Sequence, residues 1–201
     1  MSNNSITLAM TGASGVIYGL RLLECLLEAD EQVNLLVSAP AQVVLAMESE
    51  LNVPSQAKEM EQFFCDYFNA QYGQLQVYAK EQWTSPVASG SSVSRAMVVC
   101  PCTSATLSAI ANGTSSNLLE RAADVVLKEQ QKLILVNREM PLSAIHLEHM
   151  LKLARLGVVI MPANPGFYHQ PQSVNDLVDF VVARVLDHLD IEHSLVPRWG
   201  E

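Results

Sequence analysis

Charged residues are scarce in this chain of 201 residues: Asp, Glu, Lys and Arg make up 16%, against 49% apolar residues. A disordered chain needs the reverse balance, so this one buries a sizeable core, at a length that suits one ordinary domain. The scarcity also points to apolar surface covered by partner subunits. Positive charge is scarcer still. With 12 Lys and Arg against 21 Asp and Glu, the net charge of −9 and pI near 5.0 exclude a nucleic-acid binder held by phosphate contacts. No apolar run reaches the roughly 18–20 residues of a membrane helix. Cysteine is limited to Cys25, Cys65, Cys100 and Cys102, with no CxxC pair. The start, Met1 to Ser5, is polar and uncharged, unlike a secretory n-region. Reduced thiols in a cytoplasmic protein are therefore expected. Internal repeats, low-complexity stretches and linkers are lacking too.

What the chain has is an alternation of short apolar runs and longer helical patterns. Ile6–Met10, Val33–Val37, Leu75–Ala79, Ala96–Cys100, Leu133–Val136 and Val158–Met161 read as strands, with Pro101 expected to stop the fourth. Helices fit Val16–Ala29, the stretch after Ser38-Ala39-Pro40 to about Glu50, Thr103–Ala111, Asn117 to Glu129, Ser143–Leu156 and Ser173 to about Leu189. The least readable stretch, Asn52 to Tyr72, reads as one irregular helix through Met60–Phe68. Strand runs undiluted by polar residues suit a sheet covered on both faces. The expected fold is a doubly wound α/β domain with a mostly parallel sheet, in which ligands sit at the carboxyl ends of the strands.

Three loops can hold a phosphate. Thr11-Gly12-Ala13-Ser14-Gly15, with Gly19 following, lets backbone N–H groups approach an anion at a helix start, although a tight packing turn would read the same. Cys100-Pro101-Cys102-Thr103-Ser104-Ala105-Thr106 supplies hydroxyls and free amides, or simply caps a helix. Ala88-Ser89-Gly90-Ser91-Ser92 is a third small, polar segment. The ligand is not a dinucleotide: the glycines stand at 12, 15 and 19 instead of G-x-G-x-x-G, and Ser38 occupies the place of the ribose-binding acid. No tyrosine is followed four residues later by lysine, as short-chain dehydrogenases require. A mononucleotide fits better.

In so acidic a chain, each cation has a meaning. Arg121 and Lys128 share a helix face with Asp124 between them, a pattern that a solvated ion-pair stripe also gives. Arg184 projects within about 20° of apolar Leu177 on the last helix, at the edge of a buried face, and needs an anion there. Arg138-Glu139 follows a strand at its carboxyl end. Pro162 to Pro171, rich in Pro and aromatics, leaves the last strand at a ligand-facing position. Trp199 is either a stray tail residue or a subunit anchor that finishes a neighbour's pocket. His146 and His149 stand at i, i+3, but no third metal ligand is evident, and a structural role is the better reading. His169, His188 and His193 are isolated. No Asp-Asp-x-x-Asp motif offers a magnesium–diphosphate site.

Thr11-Gly-Ala-Ser-Gly-Val-Ile-Tyr-Gly19, Arg121-Ala-Ala-Asp-Val-Val-Leu-Lys-Glu129 and Gly166-Phe-Tyr-His-Gln-Pro-Gln-Ser173 together resemble the UbiX-type flavin prenyltransferases, and the resemblance runs from Ile6 to Trp199, weakest over Asn52–Trp83. It implies a Rossmann-like flavoprotein, one domain over 1–201, whose tail from about 190 packs on a neighbouring subunit of a homododecamer. It implies transfer of a dimethylallyl group from dimethylallyl phosphate to N5 and C6 of reduced FMN, giving the prenylated flavin that UbiD-type decarboxylases use. FMN contacts implied are Gly12, Ala13, Ser14, Ser38, Thr103, Ser104, Ala105, Thr106 and Arg138, with Ser89, Gly90 and Ser91 lining the ring. Arg121, Lys128, Tyr168 and Arg184 are implied to bind the prenyl phosphate. Ser14 near N5, Glu48, Glu139, Lys128, Tyr168 and the closing Trp199 are implied to act in catalysis.

The residue types suit that chemistry. Cations and a phenol stabilise the leaving phosphate without a metal, π-faces stabilise an allylic cation, and Glu139 can move the proton lost from C6. Two rivals remain. A cysteine-type decarboxylase of the same superfamily carries Pro-x-Met-Asn where this chain has Arg138-Glu-Met-Pro-Leu142. A non-catalytic flavin carrier needs the flavin loops but not Lys128, Tyr168 and Arg184 together.

Overall fold

Continuous apolar runs fold as strands shielded on both sides, and the architecture follows from that. In the computed structural model, which describes residues 3–198, the elements run in chain order as follows. β1 is Asn3–Met10, α1 Val16–Glu28, β2 Val33–Val37, α2 Ala39–Glu48, α3 Ala57–Phe68, β3 Leu75–Tyr78 and β4 Ser94–Cys102. Then come α4 Ser104–Asn112, α5 Leu118–Lys128, β5 Lys132–Asn137, α6 Ala144–Arg155, β6 Val159–Pro162 and α7 Val174–His188. The six strands form one sheet in the order β3-β2-β1-β4-β5-β6, with every described pairing parallel.

Alternation along each strand divides the core into two layers. Ile6, Leu8 and Met10 of β1 face Leu22, Leu26, Phe64, Val181 and Val185, so α1, α2, α3 and α7 cover one side. Ala9, Met97 and Leu135 face Leu107, Leu118, Val126 and Leu153, so α4, α5 and α6 cover the other. The strand order reverses between β1 and β4, and the loops leaving those two strands diverge to open a crevice at the carboxyl edge of the sheet.

Two sequence expectations need correction. Pro101 does not stop β4: the strand continues to Cys102, through a cis Cys100–Pro101 bond and a shift in its pairing with β5 between Val99 and Cys102. A proline lacks only the donor, and at such an irregularity its carbonyl still works. Pro101 O accepts from Thr11 N at 3.1 Å and from Thr11 Oγ1 at 2.7 Å. The stretch read as an irregular helix holds a regular one, α3, which starts three residues earlier at Ala57, with Met60 and Phe64 buried. In the tail, Ile191 and Leu195 pack against the core of their own chain. Trp199 lies outside the described residues.

Candidate active site

At the carboxyl edge, three loops converge. Gly12 sits where a Cβ would stand 2.3 Å from Cβ of Pro40, so the loop after β1 can lie against the start of α2 only with glycine there. Gly15, with φ of 98°, makes the left-handed turn into α1. The first amides of a helix lack internal partners. Here Glu48, the last residue of α2, supplies one: its Oε2 accepts from Gly15 N at 2.8 Å and from Val16 N at 3.1 Å. Burial pushes the Glu48 carboxyl up, but a bond from the Ser14 hydroxyl, the two amides and the nearby Arg138 outweigh it, and the carboxyl is held below the ordinary glutamate range.

Arg138 and Glu139 close the cluster from the end of β5. Arg138 Nε donates to Ser14 O at 3.1 Å. Ser104, at the start of α4, donates from Oγ to Oε2 of Glu139 at 2.8 Å, and that bond foremost holds Glu139 below its ordinary range. Ser14, Glu48 and Arg138 are thus linked, and Ser104 bonds the neighbouring Glu139, so segments distant in sequence meet in one polar cluster.

Beside this group lies a cavity of about 310 Å³ lined by Gly12, Ser38, Thr103, Ala105 and Thr106 with apolar Leu36, Val37, Pro40 and Leu118. The starts of α2, α4 and α5 all reach it, and aligned helix N-termini favour an anion. Ser38 and Thr103 also cap helices: Ser38 Oγ accepts from Ala41 N at 3.2 Å, and Thr103 Oγ1 accepts from Thr106 N at 3.1 Å. Capping and ligand binding are therefore compatible at these loops. Tyr78, Lys80 and Asn117 line the cavity as well. Sequence reading missed Tyr78 and Lys80 because they come from the segment with the weakest pattern; a lysine just past a strand's carboxyl end was the available signal. Cys100 and Cys102 are buried beneath, and burial pushes both thiols up, so neither is a ready nucleophile.

The cations expected at the prenyl phosphate lie elsewhere, in two places. A helix between parallel strands runs opposite to them, so α5 starts at the cavity and carries Lys128 about 16 Å away, toward the amino edge of the sheet. There Lys128 pairs with Glu129, and both approach Gly90 in the Ser89–Ser91 turn. Arg121 donates from Nε to Ala88 O at 3.2 Å and from Nη1 to Asp124 at 2.7 Å, so the expected ion-pair stripe exists. Ser89, Gly90 and Ser91 accompany these cations and do not line the 310 Å³ cavity of their own chain.

Tyr168 and Arg184 come together in a third place, a cavity of about 720 Å³ with Phe180, Asp187, His193 and Arg198. The loop after β6 folds back along α7, bringing Gly166 against Phe180. Arg184 finds its anion on its own helix, in Asp187. The end of α7 lies at the amino edge, where Arg95 at the start of β4 donates to Leu189 O at 3.2 Å. His146 is structural: its Nδ1 accepts from Ser143 N at 3.2 Å in a capping box at the start of α6.

The family model described as Flavoprotein matches residues 1–186. A flavin prenyltransferase UbiX from Pseudomonas aeruginosa is 57% identical over 196 residues, which is 98% of this chain and 94% of that protein. The crystal structure of AnUbiX in complex with FMN and dimethylallyl pyrophosphate superposes with a TM-score of 0.87 at 35% identity, covering 99% of this chain and 98% of that one. A dodecameric FMN-dependent UbiX-like decarboxylase from Escherichia coli superposes with a TM-score of 0.85 at 39% identity, covering 98% of this chain and 100% of that one.

Proposed function

The chain belongs to the Flavoprotein family and within it to the UbiX-type flavin prenyltransferases, and from that membership we propose how its residues carry the reaction. The protein is a flavin prenyltransferase. FMN and a dimethylallyl donor, the pyrophosphate, sit in a relative's structure, and the reaction proposed is transfer of the dimethylallyl group from dimethylallyl phosphate to reduced FMN. Bound reduced FMN supplies N5 and C6 as the two atoms that bond to the prenyl chain.

The residues at the carboxyl edge fit that flavin. Helix starts at Ala39, Ser104 and Leu118, with Lys80, make a seat for its phosphate, and Leu36, Val37, Pro40 and Leu118 offer apolar walls. Ser14 and Arg138 do not line this cavity; bonded to each other, with Glu48 bonded to Ser14, they are assigned to the reacting end of the flavin. Glu48 orients the Ser14 loop, and Glu139 takes the proton lost at C6. Tyr168 and Arg184 bind the prenyl phosphate and stabilise charge as it leaves, with Lys128 and Arg121 brought by a neighbouring copy. Trp199 closes the site, as the family resemblance implies. The observation that carries this reading is a cavity with three helix starts next to the linked Ser14, Glu48 and Arg138 and the bonded Ser104 and Glu139.

A homododecamer fits both the dodecameric relative and the exposure of Val43, Met47, Leu147 and Leu151 on helix surfaces. No helix of the described residues is long and apolar enough to cross a membrane. The four free thiols suit a reducing cytoplasm. The product goes to a UbiD-type decarboxylase.

The test is direct. Purified protein, reduced FMN and dimethylallyl phosphate, mixed without oxygen, yield a flavin heavier by C5H8. Unchanged flavin in the mass spectrum would favour a flavin carrier instead.

A further inference from the structure

The cavity that holds Tyr168 and Arg184 also holds Asp187 and His193. Arg184 and Asp187 stand at i, i+3 near the end of α7, and Asp187 Oδ2 accepts from Arg184 Nη1. The other oxygen of the same carboxylate, Oδ1, lies 3.2 Å from Nε2 of His193, which arrives from the segment after α7. An ionised carboxylate only accepts, so Nε2 carries the proton of this bond. Nδ1 of the same ring is buried and has no hydrogen-bond partner among the described residues. The bond to Asp187 is therefore the polar tie that sets the ring.

Exposure orders the three side chains. The His193 side chain is 12% exposed, Asp187 33% and Arg184 54%. An exposed i,i+3 ion pair by itself fixes a side chain weakly. A carboxylate pinned from behind by a buried ring has already lost its rotamer freedom, and it offers the guanidinium a fixed dock. Arg184 spends one edge on that dock, and its planar fork has further N–H donors for phosphate oxygens.

We propose that Asp187 and His193 are positioning residues for the prenyl phosphate: the ring fixes the carboxylate, and the carboxylate fixes Arg184 for its anion. This role rests on the prenyl-transfer reading of the site. It is tested with the full-length protein by steady-state kinetics in dimethylallyl phosphate, with FMN affinity from flavin fluorescence and melting temperature alongside. His193→Ala should raise KM for the prenyl phosphate by about tenfold while kcat at saturation and FMN affinity stay within about twofold. His193→Gln places an amide N–H near the position of Nε2 and should bring KM back to within about twofold of wild type. Asp187→Ala should raise KM at least as much as His193→Ala. A lower KM in Asp187→Ala would overturn the role, since it would make Asp187 a competitor of phosphate. Equal KM in wild type and His193→Ala, or failure of His193→Gln to recover it, would overturn it too. Those outcomes leave the reaction standing; a wild-type protein that makes no prenylated flavin overturns the reaction and this role with it.

Discussion

Glu48 closes one helix and satisfies the start of another. Its Oε2 takes the amides of Gly15 and Val16, two of the groups that α1 cannot pair internally, and its charge faces the positive end of that helix. Against the upward push of burial, a bond from the Ser14 hydroxyl, then these amides and Arg138, hold the folded carboxyl below its ordinary value of 4.5. A group whose folded value is depressed stabilises the fold fully above its unfolded value, and the contribution fades as pH falls through the folded one. Glu48→Gln keeps an acceptor and loses the charge. At neutral pH the variant should melt roughly 1–3 °C below wild type, the scale of an exposed helix-dipole interaction in a chain of this size. That gap should begin to close as pH drops below 4.5 and vanish once pH has passed below the depressed folded value, where both proteins carry a neutral group. Melting curves across that range check the sign; a gap that widens in acid would mean that Glu48 does not hold the loop as a carboxylate.

The elements that position the cavity were legible in the sequence to different degrees, and the differences have physical causes. Asn117-Leu-Leu-Glu120 announces a helix start, and the side chain of Asn117 does accept from Glu120 N at 3.0 Å. Local chemistry decides a cap, so local sequence reveals it. β4 is the opposite case. Proline reads locally as a stop, but Thr11, ninety residues away, takes the Pro101 carbonyl and carries the strand on to Cys102. Lys80 stood just past a strand's carboxyl end, but no motif surrounds it, and only the fold brings it to the cavity that Ser38 and Thr106 line. The cap gives a measurable consequence at this scale. Asn117→Ala should cost about 1 kcal/mol, lowering the melting point by about 2–4 °C. Because Asn117 and the first turn of α5 line the cavity, FMN affinity should fall severalfold in the same variant. Fluorescence titration against a melting curve reads both; lost stability with unchanged FMN affinity would detach α5 from the flavin.

Across the whole molecule, the sheet separates the groups that the reaction must bring together. Lys128 ends α5 in one helix layer, and Arg184 rides on α7 in the other. Both stand in the later half of helices that run toward the amino edge, while the flavin loops open at the carboxyl edge. A single copy therefore cannot bring Lys128 and Arg184 to one flavin, and a shared site needs neighbouring copies in a closed assembly. This geometry makes complementation possible. Lys128→Ala and Arg184→Ala should each lack prenyl transfer when made alone, while keeping the size of the wild-type oligomer by light scattering. Co-expressed in equal amounts, they should regain activity at about a quarter of the sites, since each cation must come independently from a copy that retains it. If mixed oligomers of full size stay inactive, the two cations reach the flavin on the same copy, and the two-layer placement of α5 and α7 is not how the active site is built.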